Sequence, residues 1–255
     1  DADGLDWLAR MLEHRSHRRY ASRPVSAELL KMLFACAMSA PSKSDLQQAD
    51  IVHVHDASLR TQMAALVPDN PWVATAPVFL VFCGNNRRTR QVAQWRGKTF
   101  ANDHLDAFMN AAVDAGIVLA NFVAAAEAAG LGCCPISTVR NRAQAVSELL
   151  ALPEWVFPLA GMCVGWPEGA GEITPRLPLD VTVHTDRFNE NGVQAKVEAY
   201  DRRRAAVQPY KKQRDVARFG EAAFYGWSED KARQYAEPQR VDFGAFIRRK
   251  QFKLD

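Results

Sequence analysis

The sequence predicts an α+β fold, or a mixed α/β sandwich, in which helices outweigh strands. Three observations carry that class. Apolar residues recur at helical spacing in several separate stretches, the longest over 103–129. Two short, nearly continuous apolar runs, 77–83 and 157–166, have the character of strands buried on both faces. The 255 residues are 48% hydrophobic and 24% charged, which excludes wholesale disorder. A chain of this length buries about three quarters of its unfolded surface, as one large domain or two small ones.

The elements follow in order. Leu5, Leu8, Met11 and Leu12 share a helical face and run into the charged segment His14-Arg15-Ser16-His17-Arg18-Arg19-Tyr20. Pro24-Val25-Ser26 is a turn, and Ser26 is placed to cap a helix over 27–38. A polar loop, Ser39-Ala40-Pro41-Ser42-Lys43-Ser44-Asp45, precedes an alternating strand over 50–55 and a helix over 58–66. The buried strand 77–83 comes next. The pattern over 103–129 is apolar nearly all round, with Phe108, Val113, Ile117, Leu119, Phe122 and Val123 on different faces. Such a helix needs cover on several sides, as the central core helix or in a subunit interface. Gly130 ends it as a left-handed cap. A short strand through Ile136, a helix over 143–150 and the strand 157–166 follow. Beyond Asn189 the chain reads as helical and rich in Arg, Lys and aromatics.

The net charge of +3 is unevenly placed. Residues 189–255 carry 15 Lys and Arg against 10 Asp and Glu, and residues 1–188 carry 17 against 19. That excess makes the tail a candidate to attract an anionic ligand, while the near-neutral body argues against a nucleic-acid binder. The segment 1–5 lacks signal-peptide character and no apolar run approaches the roughly 18 residues of a membrane span, so a cytoplasmic protein without a membrane partner is expected. The five cysteines, an odd number, read as small hydrophobes of a reducing compartment. Cys133 and Cys134 are adjacent, but no CxxC and no neighbouring His completes a metal site around them.

Several chemistries are excluded by motif. Gly130-Leu131-Gly132 has Pro135 where a dinucleotide fingerprint needs its third glycine. P-loop, HExxH and GxSxG patterns are absent. His53 and His55 share a strand face and could bind a metal, but no third ligand is in view and a solvated face is the better reading. Four segments remain. Within 14–18, guanidiniums, a hydroxyl and imidazoles gather at a helix end, and Arg suits phosphate through its paired, charge-assisted bonds. The 41–48 loop offers Ser42, Ser44, Gln47 and Gln48. The segment 130–141 turns from strand to helix and exposes backbone N–H groups. Pro175-Arg176-Leu177-Pro178 presents one Arg on a restrained backbone. Each alone reads better as an ordinary turn or helix end.

Together and in this order, these segments resemble the nitroreductase family of FMN-dependent oxidoreductases, in particular its NADPH-linked flavin reductases and oxygen-insensitive nitroreductases. The carriers are His14-Arg15-Ser16-His17-Arg18, the Ser-rich loop with Leu46-Gln47, Gly130-Leu131-Gly132 through Ile136 to Arg140-Asn141, Phe157-Pro158-Leu159 through Gly165-Trp166-Pro167, Pro175-Arg176-Leu177-Pro178, and His184. The resemblance covers about residues 5–188 and is loose beyond.

It implies a three-layer α/β/α sandwich around a mixed, mostly antiparallel sheet, in an obligate homodimer with FMN at the subunit interface. The core would be 1–188, with 189–255 a helical basic extension. His14, Arg15 and Ser16 would hold the FMN phosphate with Arg176. Arg18 would lie near flavin N1, and Asn70 against the pyrimidine edge. Ser42, Ser44 and Gln47 would come from the partner subunit. Pro135 and Ile136 would line the ring, with the Ser137–Thr138 backbone facing N5. Two electrons would pass from NADPH or NADH through N5 to a nitro compound, quinone or free flavin in ping-pong order. Arg18, Ser137 and Thr138 would stand nearest the chemistry.

Three departures stand out. Thr174 replaces the Lys usual two residues before Arg176, and another cation such as Arg140 is a candidate substitute. Ser137-Thr138 replaces the usual Gly-Gly pair and narrows the space beside N5. The tail lacks clear counterparts of the NADPH-phosphate arginines; Arg202, Arg203, Arg204, Lys211, Lys212 and Arg214 are candidates by charge. The alternatives are another flavin reaction on the same fold (reductive dehalogenation or oxidation of a biosynthetic intermediate) and a flavin carrier or sensor without turnover.

Overall fold

The computed structural model describes residues 2–255, so Asp1 lies outside the described residues. The chain divides into two compact units, Asp1–Glu172 with Arg240–Asp255, and Ile173–Gln239. The boundary expected at 188 therefore differs from this division.

The first unit contains helices α1 (Ala2–Leu12) and α2 (Ala27–Met38), strand β1 (Ala49–His53), helices α3 (Ala57–Leu66) and α4 (Trp72–Thr75), and strand β2 (Val78–Asn85). Helices α5 (Arg87–Trp95) and α6 (Leu105–Ala128), strand β3 (Gly132–Ile136), helix α7 (Ala143–Leu149) and strand β4 (Val156–Gly165) follow. Sequence patterning located all four strands. It missed α5 because that helix buries none of its residues and so shows no apolar stripe.

The strands form one sheet in the order β1-β2-β4-β3, and every pair is antiparallel. The sheet is mostly antiparallel, as expected, and its parallel component among the described residues is a single bridge, Ser16 to Cys133. That ladder stops because Pro135, two residues on, has no N–H to donate.

Every residue of β2 is buried. Leu80 and Phe82 join a cluster with Leu33 of α2 and Phe122 of α6. Their neighbours Phe79, Val81 and Cys83 join a second cluster with Met63 of α3 and Val146 of α7. A strand whose alternate side chains meet separate cores reads as a continuous apolar run, as this one does.

Ser26 caps α2 as expected, its side chain accepting from Leu29 N at 3.2 Å. Gly130 takes φ +81° after α6, and Leu131 N reaches back to Ala126 O at 2.9 Å. This left-handed closure favours glycine because no Cβ crowds it.

Helix α6 is long and apolar enough to cross a membrane by length and composition, which corrects the expectation that no stretch approaches that size. It serves here as a core helix, burying Ala107, Ala111, Asp114, Ala115, Val118, Phe122 and Ala126. It is not covered all round. Leu105, Met109 and Val113, spaced four apart, are 48%, 55% and 43% exposed.

The end of the chain returns to this unit as α12 (Phe243–Arg249). Phe246, Ile247 and Phe252 are buried against Ala111 and Phe157. Phe252 meets Phe157 edge-on, with ring centroids 5.5 Å apart. That aromatic packing makes the last segment part of the core, not an extension.

The second unit contains α8 (Leu179–Thr182), α9 (Val193–Val207), α10 (Val216–Phe219) and α11 (Trp227–Tyr235). Its interior is built largely from paired polar groups. Buried Asp230 accepts from Arg214 Nε at 2.9 Å and from the Tyr225 hydroxyl at 3.0 Å. Buried Arg233 donates to the carbonyls of Arg214 and Gly220. Buried charges persist only when satisfied in this way.

Candidate functional site

The segment 14–18 lies along β3. His17 N donates to Cys133 O at 2.9 Å. Gly132 makes this approach possible: a Cβ there would stand 2.7 Å from His17 Cβ and Cγ. Gly132→Ala is expected to push the segment off the strand and cost about 1–3 kcal/mol of stability by overpacking. Thermal melting checks this, and a variant as stable as the parent would refute it. Burial, with nearby Arg15 adding to it, holds the His17 imidazole below its ordinary pKa.

His14 and Arg15 are both engaged. His14 Nδ1 meets Glu127 Oε1 at 2.7 Å. Glu127 lies in the last turn of α6, where the helix dipole disfavours an acid, so its position is stabilised by this partner. Arg15 bonds Glu13 O at 2.9 Å, Ala170 O at 3.1 Å and the Glu13 carboxylate at 3.3 Å. A cavity of 280 Å³ opens here, lined by Arg10, Arg15, His17, Glu127 and Gly169 among others.

A second group gathers at the far end of β3. The Arg18 guanidinium lies 5.4 Å from the Trp72 ring centre, a cation–π contact. Thr138 Oγ1 donates to Asn70 Oδ1. Pro135 is exposed in a strand otherwise buried. Ile136 is buried, 3% exposed. The Trp72 Nε1–H is a buried donor with no hydrogen-bond partner. Arg240 reaches this edge from the C-terminal segment, donating to Asn141 Oδ1 at 2.7 Å and to Ser137 Oγ at 3.1 Å. Arg140 donates to Leu159 O, and burial, then the charge of Arg240, lowers its pKa. Among the described residues, no carboxylate pairs with Arg18, Arg140 or Arg240.

The loop with Ser42, Ser44 and Gln47 forms a separate group. Ser44, Asp45 and Gln47 adopt positive φ of 50°, 55° and 52°. Such conformations cost roughly a kcal/mol or more each and need outside support. Asp114 of α6, 1% exposed, supplies it, accepting from Lys43 N at 3.0 Å and Gln48 N at 3.1 Å. Ser42 Oγ accepts from Gln47 N at 2.7 Å, and Arg88 donates to Gln47 O at 2.7 Å. Among the described residues, no hydrogen bond joins this loop to the Arg18, Asn70 and Thr138 group. Arg176 belongs to the second unit, where its Nη1 donates to Thr174 O at 3.1 Å.

The adjacent cysteines are chemically quiet. All five thiols are free. Burial raises the pKa of Cys133 and Cys163, and pushes that of Cys83 up to about 12. Burial also raises Cys134, against an opposing pull from Arg18. Buried thiols with raised pKa are poor nucleophiles and poor metal ligands. Among the described residues, no group of three His, Cys, Asp or Glu could hold a metal.

Sequence reading did not single out Glu127, Asp114, Trp72 or Arg240. The two acids had a signal, since each is an isolated carboxylate in an apolar helix. Arg240 had none: 103 residues separate it from Ser137.

The donor set at the β3 edge, three guanidiniums without carboxylates beside an exposed Pro and a Trp, fits a flat anionic ring system. Comparison with known proteins places the chain in a class with this chemistry. The Nitroreductase family pattern matches residues 11–166, and the pattern for the family's C-terminal domain matches 174–255. This chain belongs to the nitroreductase family. It is 36% identical over 194 residues to an FMN reductase [NAD(P)H] of Bacillus subtilis, covering 75% of this chain and 78% of that one. It is 34% identical over 175 residues to the oxygen-insensitive NADPH nitroreductase of Salmonella typhimurium, covering 69% and 71%. The structure of NADPH:FMN oxidoreductase from Vibrio harveyi complexed with NAD+ superposes with a TM-score of 0.82 at 31% identity, covering 96% and 97%.

Proposed function

We propose that this chain is an FMN-dependent oxidoreductase that passes two electrons from NADPH or NADH to a small-molecule oxidant in ping-pong order. The oxidant class is a nitro compound, a quinone or free flavin. One observation supports this above the rest: Arg18 against Trp72, Arg140 against Leu159 O and Arg240 against Ser137 have no carboxylate paired with any of them among the described residues. Cations so placed need an anion, and FMN-linked relatives supply the candidate. When bound, FMN supplies the hydride-accepting N5 and an N1 that carries negative charge on reduction.

The residues divide the work. Arg18, in cation–π contact with Trp72, places a positive charge where negative charge develops. Asn70, oriented by Thr138, presents its remaining amide hydrogens to a ring edge. The Ser137 and Thr138 side chains narrow the edge, and Arg240, tied to Ser137, covers it. His14, Arg15 and Ser16 hold a phosphate, with Glu127 orienting His14. Ser42, Ser44 and Gln47 serve the partner's flavin, which agrees with their standing apart from Arg18 within one chain.

The exposed Leu105, Met109 and Val113 stripe supports a homodimer. An apolar face of this kind calls for a partner helix. A second copy would cover it, and the two separate cores of the sheet support the three-layer sandwich. Five free thiols suit the cytoplasm. Sedimentation at micromolar concentration should give a dimer, and a stable monomer would refute this assembly.

The test of the activity is spectroscopic. The purified protein should be yellow, and anaerobic NADPH or NADH should bleach it. A colourless protein that takes up no FMN would sink the assignment. A yellow protein that neither nucleotide bleaches would leave a carrier. The narrowed Ser137-Thr138 edge favours one second reading, another flavin reaction on the same fold, which a bleached enzyme inert to nitro compounds, quinones and flavins would select.

A further inference from the structure

The C-terminal segment 240–255 meets the body of the first unit through cations that face a row of neutral acceptors. Arg240 donates to Ser137 Oγ at 3.1 Å and to Asn141 Oδ1 at 2.7 Å. Arg249 Nε donates to Gln144 Oε1 at 3.1 Å. Lys250 Nζ donates to Ser147 Oγ at 3.0 Å and to Leu152 O at 2.6 Å. Ser137, Asn141, Gln144 and Ser147 follow one another three or four residues apart, the spacing of one helical face. The row therefore runs from buried Ser147 to the Ser137 edge.

The two ends of this contact are held differently. Lys250 is 8% exposed, and no carboxylate pairs with it among the described residues. Burial holds its amine below the ordinary pKa, against the pull of Glu154. A buried amine without a counter-charge is a costly way to fill space, and what it adds over an apolar side chain is a fixed register. The backbone around it is strained. Ala151, Trp155 and Gln251 adopt positive φ of 49°, 58° and 66°. Trp155 donates from N to Lys250 O and from Nε1 to Gln251 O, each at 2.8 Å. Such conformations persist only while the contacts around them hold.

Arg240 is lightly held by comparison. Its own φ is +57°, and its charge is close enough to Arg140 to lower the pKa of that group. Strain and like charge both favour its leaving Ser137. Helix α12 begins three residues later and runs directly into Lys250, so the anchored end restrains the strained one.

We propose that Lys250 is a positioning residue for the reaction: it anchors α12, which keeps Arg240 on Ser137 and Asn141, and this sets the room open to an oxidant at that edge. The inference rests on the reading above, in which the Ser137 edge borders the flavin. Arg240 so held keeps the edge narrow and favours small oxidants. Arg240 released opens it to large ones.

The test compares wild type with Lys250→Met and with Lys250→Met/Ser147→Ala. The second variant makes both members of the buried pair apolar and so leaves no orphaned hydroxyl. Hydrogen–deuterium exchange should speed up about 3- to 10-fold over 137–144 and 240–243 and stay unchanged over β2. The ratio of kcat/KM for riboflavin to that for 1,4-benzoquinone should rise by a similar factor. Both oxidants are uncharged, so size is the variable. Unchanged exchange over 137–144 would overturn the proposal. Faster exchange throughout the chain, or failure of both variants to fold, would make Lys250 purely structural and overturn it as well. Faster local exchange with an unchanged ratio would remove Lys250 from any role in oxidant choice. A wild type that takes up no flavin is a separate outcome, read from its colour before any variant is made. It would overturn the flavin reading, and the role of Lys250 at the edge would fall with it.

Discussion

Asp114→Ala should lower stability by about 2–6 kcal/mol, because it strips the partners from two backbone N–H groups near the core. Asp114 is 1% exposed, and its two oxygens separately accept Lys43 N and Gln48 N. At about 2–4 °C per kcal/mol for a chain of this size, the melting temperature should fall by several degrees at least. The loop should loosen as well, since its three residues at positive φ lose the bonds that hold them. Asp114→Asn should fall between the two, because one oxygen survives while the new amide faces an N–H. Thermal melting and proteolysis at the loop check both effects. An Asp114→Ala protein within a degree of wild type would show that the loop is held by other contacts.

Arg18→Ala should slow NADPH-driven bleaching of the bound flavin by about 10- to 100-fold. Removing one preorganised donor from a site of developing charge commonly costs about 10²–10³-fold. Arg18 is exposed, so solvent screens part of that contribution and the smaller range applies. Arg18→Lys should recover only part of the rate. It keeps the charge but loses the guanidinium that contacts Trp72. Anaerobic stopped-flow reduction measures this directly, apart from turnover. An unchanged rate in Arg18→Ala, with flavin still bound, would remove Arg18 from the electrostatic role.

The sheet was legible because burial on both faces leaves a local signature. The run from Val78 to Cys83 has no polar residue, and Val156–Gly165 has none with a charge. Helix α2 was legible through its cap at Ser26 and α6 through its length and its Gly130 stop. These signals lie within a few residues of one another along the chain. Helix α5 left no such trace, as an exposed helix of arginines and glutamines looks like a loop. The C-terminal segment misled for a related reason. Its charge suggested a basic extension to the core, yet Phe246 and Phe252 are almost wholly buried in it.

The site divides the same way. Local motifs determined that residues 14–18, the 42–48 loop, Ser137-Thr138 and Arg176 are the segments with unusual chemistry, and their order along the chain pointed to the family. Only the tertiary structure decided what each one touches. It placed Glu127 against His14 across 113 positions of sequence, Arg240 against Ser137 across 103, and Asp114 against the loop across 71. It also half-buried Arg204 while leaving Arg202 and Arg203 in solvent. The physical reason is range. Helical and strand periodicity, capping and glycine closure act over a few bonds and are written locally. The pairing of charges and buried donors is set by which surfaces meet when the chain closes, and no local pattern encodes that.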